Sequence, residues 1–208
     1  MSFSKDELMR ERQLEIVQIA IEIIASNGYG ALTMRALARE AGMKLGALQY
    51  HFRTRDDLLN AIAAFMTSEY EASLKAVKVE AMPLDIVTLA ELLLDDTVGA
   101  SLRSEDLLPQ LWAMGRVEPT MAALLNQIYA NYLALLEEAL KAAGNSKPRA
   151  EAVALMSLIE GSLLFLHTGS SLAGDSASFK QHVLDQLGRR YQSADEEIEA
   201  LKTVSARR

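Results

Sequence analysis

A glutamine amide can pair bidentately with the adenine edge in the major groove of DNA, and Gln49 is followed by Tyr50. The tyrosine ring can pack on a thymine methyl and its hydroxyl can donate to a phosphate. Gly46 and Ala47 lack bulk, which allows close approach to a groove; small residues also serve internal packing, so both uses stay open at this point. Lys44 brings a cation to the start of the same segment. Thr33 and Arg35 open an earlier helical pattern and Arg55 a later one, and helix starts favour phosphate through their N–H groups and dipole.

These residues need elements that hold them at fixed angles. Leu37, Ala38 and Ala41 share one face of a short helix expected from Met34 to Ala41, with Thr33 as its N-cap. Gly42 makes a turn. Leu45, Leu48 and Phe52 share one face of a second helix, Leu45 to Phe52, which leaves Gly46, Ala47, Gln49 and Tyr50 outward. Two such helices and a tight turn form a helix-turn-helix, which lays its second helix in the major groove. Ahead of it, Ile16, Val17, Ala20, Ile21, Ile23 and Ile24 form the apolar stripe of a helix from about Glu11 to Asn27, stopped at Gly28. Behind it, Thr54 and Asp57 read as a capping box that starts a connector helix, Arg55–Glu80. Tyr29 can fill the small core or touch a phosphate, with core the favoured reading, and His51 reads as a structural hydrogen-bonding residue.

Half of the 208 residues are hydrophobic, four are proline and none is cysteine. That excludes disulfides, thiolate metal sites and cysteine nucleophiles, and the lack of alternating β-branched runs makes an all-α protein the expectation. Net charge is −7, yet residues 29–55 carry five basic residues against Glu40 alone, a local +4 that leaves −11 elsewhere. A confined basic patch on an acidic chain suits a DNA footprint better than non-specific coating. The N-terminus is charged and the most apolar run is short, so a cytoplasmic protein without a membrane span is expected. Five further helices are expected near 84–101, 105–115, 118–143, 148–168 and 176–192, with Pro109 starting or kinking the second of them. The charged residues 193–208 either extend the last helix or form a tail.

In sequence order, Gly28-Tyr29-x-Ala31-Leu32-Thr33, then Arg35-x-Leu37-Ala38-Arg39-Glu40-Ala41-Gly42, then Leu45-Gly46-Ala47-Leu48-Gln49-Tyr50-His51-Phe52, then Thr54-Arg55-Asp56-Asp57-Leu58-Leu59 resemble the DNA-binding domain of TetR-family transcriptional regulators. The resemblance covers about 60 residues; beyond it, length and helix count agree, and Trp112 with Glu118-Pro119 looks like a recurrent feature of such bodies. Three positions depart from the pattern. Lys44 stands where a capping Ser or Thr is frequent, Leu45 where a polar residue is common, and Gln49 where Tyr is frequent. These departures bear on which operator is read and on how well the helix start is capped.

The resemblance implies an N-terminal three-helix DNA-binding domain, residues 1–55, joined to a helical effector-binding and dimerisation domain, residues 56–192. It implies operator contacts by the helix from Leu45, and so by Leu45 itself beside Lys44, Gly46, Ala47, Gln49 and Tyr50, with Thr33, Arg35 and Arg55 on phosphate. It implies a homodimer on a (pseudo)palindromic double-stranded operator and a small-molecule effector that releases it. For the dimer, Ala150, Ala154, Ser157 and Gly161 form a small-residue stripe, and Phe179, Val183, Leu187 and Tyr191 an apolar one; pairing both helices across a two-fold makes a four-helix bundle. The bland alternative is that both stripes are intramolecular core. For the effector, Trp112, Met121, Tyr129, Tyr132, Met156, Glu160, Phe165 and His167 combine aromatic or thioether surface with a few polar groups. No cofactor or metal is expected, and no enzyme: Glu-x-x-His repeats, HExxH, glycine-rich phosphate loops and the G-x-S-x-G elbow are absent. The competing class is a helical interaction or ligand-binding module without DNA binding.

Overall fold

The computed structural model describes residues 5–81, 85–95, 104–167 and 175–205, and all secondary structure among them is helical. The helices are α1 (Lys5–Asn27), α2 (Met34–Glu40), α3 (Leu45–His51), α4 (Arg55–Ala81), α5 (Ile86–Leu94), α6 (Ser104–Gly115), α7 (Pro119–Ala142), α8 (Pro148–His167) and α9 (Ser176–Ser205), with a 3-10 turn at Tyr29–Ala31. The all-α expectation therefore holds. Helix α1 begins at Lys5, earlier than Glu11, and α9 runs through the charged end to Ser205. Pro109 lies inside α6 instead of starting it. The part of the 84–101 pattern beyond residue 95 lies outside the described residues. None of the described helices is long and apolar enough to cross a membrane.

The chain forms two compact units, Met1–Lys75 with Gly99–Ile128, and Ala76–Val98 with Tyr129–Arg208. In the first, the stripe of α1 is wholly buried, together with Leu37, Ala38, Leu48, Phe52, Leu58, Leu59 and Ile62, and α1 also packs on α6. Local chemistry sets the angles of this unit. The Thr33 hydroxyl accepts from Ala36 N at 3.1 Å to start α2. At the other end Gly42 adopts φ 64°, and two bonds close the helix: Met43 N to Ala38 O at 2.9 Å and Gly42 N to Arg39 O at 3.1 Å. That is a Schellman ending, and the left-handed residue it requires is least strained as glycine. The capping box at the start of α4 is reciprocal, with Thr54 N donating to Asp57 Oδ2 at 2.9 Å and Asp57 N to Thr54 Oγ1 at 3.0 Å.

In the second unit, Asp85 caps α5 by accepting from Val87 N and Thr88 N, both at 2.9 Å. Every turn of α5 buries apolar side chains (Ile86, Leu89, Ala90, Leu93, Leu94), and the helix packs on α9 and α8. Lys180 of α9 forms ion pairs with Asp95 and Glu91 at the edge of that contact.

Candidate nucleic-acid interface

The buried side of α3 is anchored by Leu48, with no exposed surface, and by Phe52 just beyond the helix. That orientation turns Gly46, Ala47, Gln49 and Tyr50 to solvent, with Tyr50 66% exposed. Leu45 is half-buried. Thr33, Arg35 and Lys44 are exposed on the flanking helix starts. A Cβ added at Gly46 would meet nothing within 4 Å. The chain's own packing therefore does not require glycine there, which resolves one of the two uses left open above. Lys44 precedes α3 in extended conformation and makes no side-chain cap bond, as its departure from the usual Ser or Thr implies.

Helix α1 closes the unit from behind. Arg12 Nη2 donates to Ala41 O at 2.8 Å and Gln13 Nε2 to His51 O at 3.2 Å, so each satisfies a carbonyl at the C-terminal end of α2 or α3. The His51 ring stands edge-on to Tyr50, with centroids 5.6 Å apart, and its Nδ1 makes no hydrogen bond among the described residues.

Arg55, expected on phosphate, has partners within the unit. Its Nη1 donates to Glu118 Oε1 at 2.6 Å, Nη2 donates to the Tyr29 hydroxyl, and the guanidinium lies 5.0 Å from the Tyr29 ring centroid. The Tyr29 hydroxyl in turn donates to Glu118 Oε1. Tyr29 is half-buried and polar-bonded, so it is more than core filling. Hydrogen bonds from Tyr29 and then Arg55 hold the Glu118 carboxyl below the usual carboxylate range. The bond to Glu118 raises the Arg55 guanidinium further, and burial followed by the Glu118 bond raises the Tyr29 phenol. At neutral pH all three groups are in the forms these bonds need. Because the Glu118 value is depressed on folding, the stabilisation is full above the ordinary glutamate range and is lost as pH falls through the depressed value.

The effector candidates fall in both units. Trp112 (half-buried) and Met121 (buried) belong to the first; Tyr129, Tyr132, Met156 and Glu160 belong to the second, where Tyr132 and Met156 are buried. Phe165 does not join Met156: it is 44% exposed on the opposite side of α8, because it lies seven residues from the outward Leu158. His167 ends α8, and its side chain lies outside the described residues. An open groove of about 370 Å³ in the second unit, lined by Val87, Glu91, Leu184, Gly188 and Arg189 among others, includes none of these candidates.

The proposed dimer stripes separate. Ala150, Ala154, Ser157 and Gly161 are exposed on α8, beside exposed Val153, Leu158, Leu164 and Phe165. Val183, Leu187 and Tyr191 are buried within the chain and Phe179 is half-buried. These α9 residues are core because α5 offers them an apolar partner face, and Tyr191 is further tied by donating to Glu151 of α8. Burial and that bond push the Tyr191 phenol up.

A helix-turn-helix with an outward α3 and basic flanks, on an otherwise helical chain, is the form of a DNA-binding transcriptional regulator. Residues 16–62 match the family model of bacterial regulatory proteins of the tetR family. Over 182 residues, 83% of this chain and 88% of the relative, the sequence is 28% identical to an HTH-type transcriptional regulator in the dhlA 5′ region of Xanthobacter autotrophicus. The fold matches a TetR transcriptional regulator from Legionella pneumophila with TM-score 0.66 at 21% identity, covering 90% of this chain and 99% of that one. It also matches the choline complex of a Saccharomonospora viridis protein with TM-score 0.70 at 21% identity, covering 86% and 96%. Within residues 16–62 the chain is thus similar to the DNA-binding segment of bacterial regulatory proteins of the tetR family.

Proposed function

We propose that the protein is a ligand-responsive repressor that binds a (pseudo)palindromic operator as a homodimer and is released by a small-molecule effector. The observation that carries the DNA reading is the outward face of α3, where Gln49 and Tyr50 stand exposed beside an uncrowded Gly46. Gln49 reads an adenine edge, Gly46 and Ala47 let the helix approach the bases, and Lys44, Thr33 and Arg35 neutralise or bond phosphates. Selecting duplexes from a random library with the purified chain tests this; failure to enrich any sequence removes it. Gln49→Ala is then expected to weaken preference at one base pair by about 1–3 kcal/mol. Unchanged preference at every position would exclude Gln49 as a reader.

Lys44 separates two roles that point in opposite directions. Lys44→Ser is expected to raise folding stability by about 0.5–1 kcal/mol through a restored N-cap. It is also expected to lower operator affinity and flatten its salt dependence by about 1.8 in log–log slope, about 0.9 for the contact in each half-site. Melting curves and titrations at several salt concentrations check both; an unchanged slope would rule out the phosphate contact.

The exposed face of α8 supports the homodimer. From Ala150 to Phe165 its exposed residues carry no charge, and small residues (Ala150, Ala154, Gly161) alternate with large apolar ones. A Cβ at Gly161 would also meet nothing within 4 Å, so the chain itself does not need its smallness. An uncharged, small-and-large face is self-complementary, and a two-fold axis places it against its own copy. The remaining exposed face of α9 (Gln181, His182, Asp185, Gln186, Arg189) is polar, so α8 supplies the apolar centre of the interface.

For the effector, Tyr132, Met156 and Glu160 of the second unit supply an aromatic ring, a thioether and a carboxylate, residue types that suit a cationic organic molecule. The choline complex of the S. viridis structure supports that class. Effector binding relieves repression by favouring the state with lower operator affinity.

A further inference from the structure

We propose that Glu118 is the positioning residue of the DNA reader, holding the entry and the exit of the helix-turn-helix through one carboxylate, and that Arg55 serves this latch in place of a phosphate contact. The inference rests on the DNA-binding reading of α3.

The reading segment runs between Tyr29 and Arg55, and both ends meet at Glu118 Oε1. Tyr29 opens the 3-10 turn that leads into α2; Arg55 is the first residue of α4, directly after the segment that carries α3. A second bond fixes the entry: Tyr29 N donates to Gln110 Oε1 of α6 at 3.1 Å. Gly28, just before Tyr29, adopts a φ of 80°, which disfavours any other residue.

Glu118 is itself held on both sides. Its N–H donates to Met114 O at 2.7 Å, closing α6, and its carbonyl accepts from Ala122 N at 3.0 Å, opening α7. At that helix start its negative charge is favoured by the dipole of α7, and Pro119 in the next position forgoes no bond. The corner is tightly packed as well: a Cβ on Gly115 would come within 2.7 Å of Leu125 Cδ1. A carboxylate fixed in this way transfers the position of the α6–α7 corner to both ends of the reader. Arg55 is the weaker candidate for phosphate because a guanidinium already bonded to a carboxylate is neutralised locally.

The test uses the full chain and a duplex enriched by the wild type from a random library. Glu118→Gln and Arg55→Met are each expected to lower affinity for that duplex by about tenfold, the loss typical of a charge-assisted bond. The double variant is expected to lose little more than either single one, because one interaction is removed in all three. Arg55→Met is expected to leave the salt slope unchanged. A slope reduced by about 0.9 per subunit, about 1.8 for the dimer, would make Arg55 a phosphate contact and overturn the latch. Additive losses, or full affinity in Glu118→Gln, would overturn it too. Amide exchange provides a readout independent of DNA: in Glu118→Gln, residues 29–55 are expected to exchange faster while α5 and α8 do not change. Uniform exchange across the chain would reduce Glu118 to a general stability role. If the wild type enriches no duplex, the DNA reading fails by itself, and exchange together with a melting-temperature cycle on Glu118 and Arg55 still decides the latch.

Discussion

Leu158→Glu is expected to leave the chain folded but monomeric, and to lower affinity for a palindromic duplex by about 10²–10⁴. Leu158 is 44% exposed in the single chain, so a glutamate there can stay hydrated and costs the monomer little. In a two-fold pair it stands in the centre of the uncharged α8 face, and symmetry brings two carboxylates into one dry interface. Each then loses hydration without gaining a cation, a cost of several kcal/mol. The affinity loss follows from the loss of linkage: two joined heads bind the second half-site at high effective concentration, and separate heads do not. Mass in solution and duplex titration check the two halves of the expectation separately. A variant that remains dimeric with unchanged affinity would place the interface elsewhere. Ala154→Glu makes a second test on the same face, since Ala154 is also exposed.

Gly46→Leu is the second large effect, and its two consequences have opposite signs. Glycine inside a helix costs roughly 1 kcal/mol relative to good helix formers, and a side chain at this position enters open space. The variant is therefore expected to be more stable by about 1 kcal/mol. If α3 lies in the major groove, the same side chain fills the gap through which the helix approaches the bases. Gln49, one turn on, then loses its reach, and affinity is expected to fall tenfold to a hundredfold, the value of about one bidentate base contact. Melting and titration on one preparation are sufficient. A more stable protein with full affinity would show that this side of α3 does not face DNA. A general folding defect cannot imitate the expected pattern, because such a defect lowers both quantities.

Short-range features proved readable from the chain alone. The cap at Thr33, the glycine ending at Gly42, the capping box of Thr54 and Asp57 and the inward Leu48 and Phe52 all involve residues within a few positions of one another. Backbone stereochemistry and helical periodicity suffice for such features. Periodicity was also enough to find the α8 and α9 stripes, and it failed to say what each one covers. An apolar stripe states that a face is to be buried, and the identity of the burying surface depends on elements far away. For Val183, Leu187 and Tyr191 that surface is within the chain; for Ala150, Ala154, Ser157 and Gly161 the described residues provide none.

The same limit applies to charges. Arg55 at a helix start has the local signature of a phosphate ligand, and its partner lies 63 residues on. Gln110 and Glu118 bond Tyr29 across 81 and 89 residues, and Arg12 and Gln13 reach the ends of α2 and α3 across 29 and 38. The Glu118-Pro119 pair was visible as a helix start, but nothing local marks its carboxylate as the point where Tyr29 and Arg55 meet. Helix order, caps, the family resemblance of the N-terminal segment and the outward set on α3 follow from neighbours along the chain, because turns and helix faces are local. Which apolar face remains bare, and whether a given cation is free or engaged, follows from packing between distant segments. No spacing rule within a single helix contains that information.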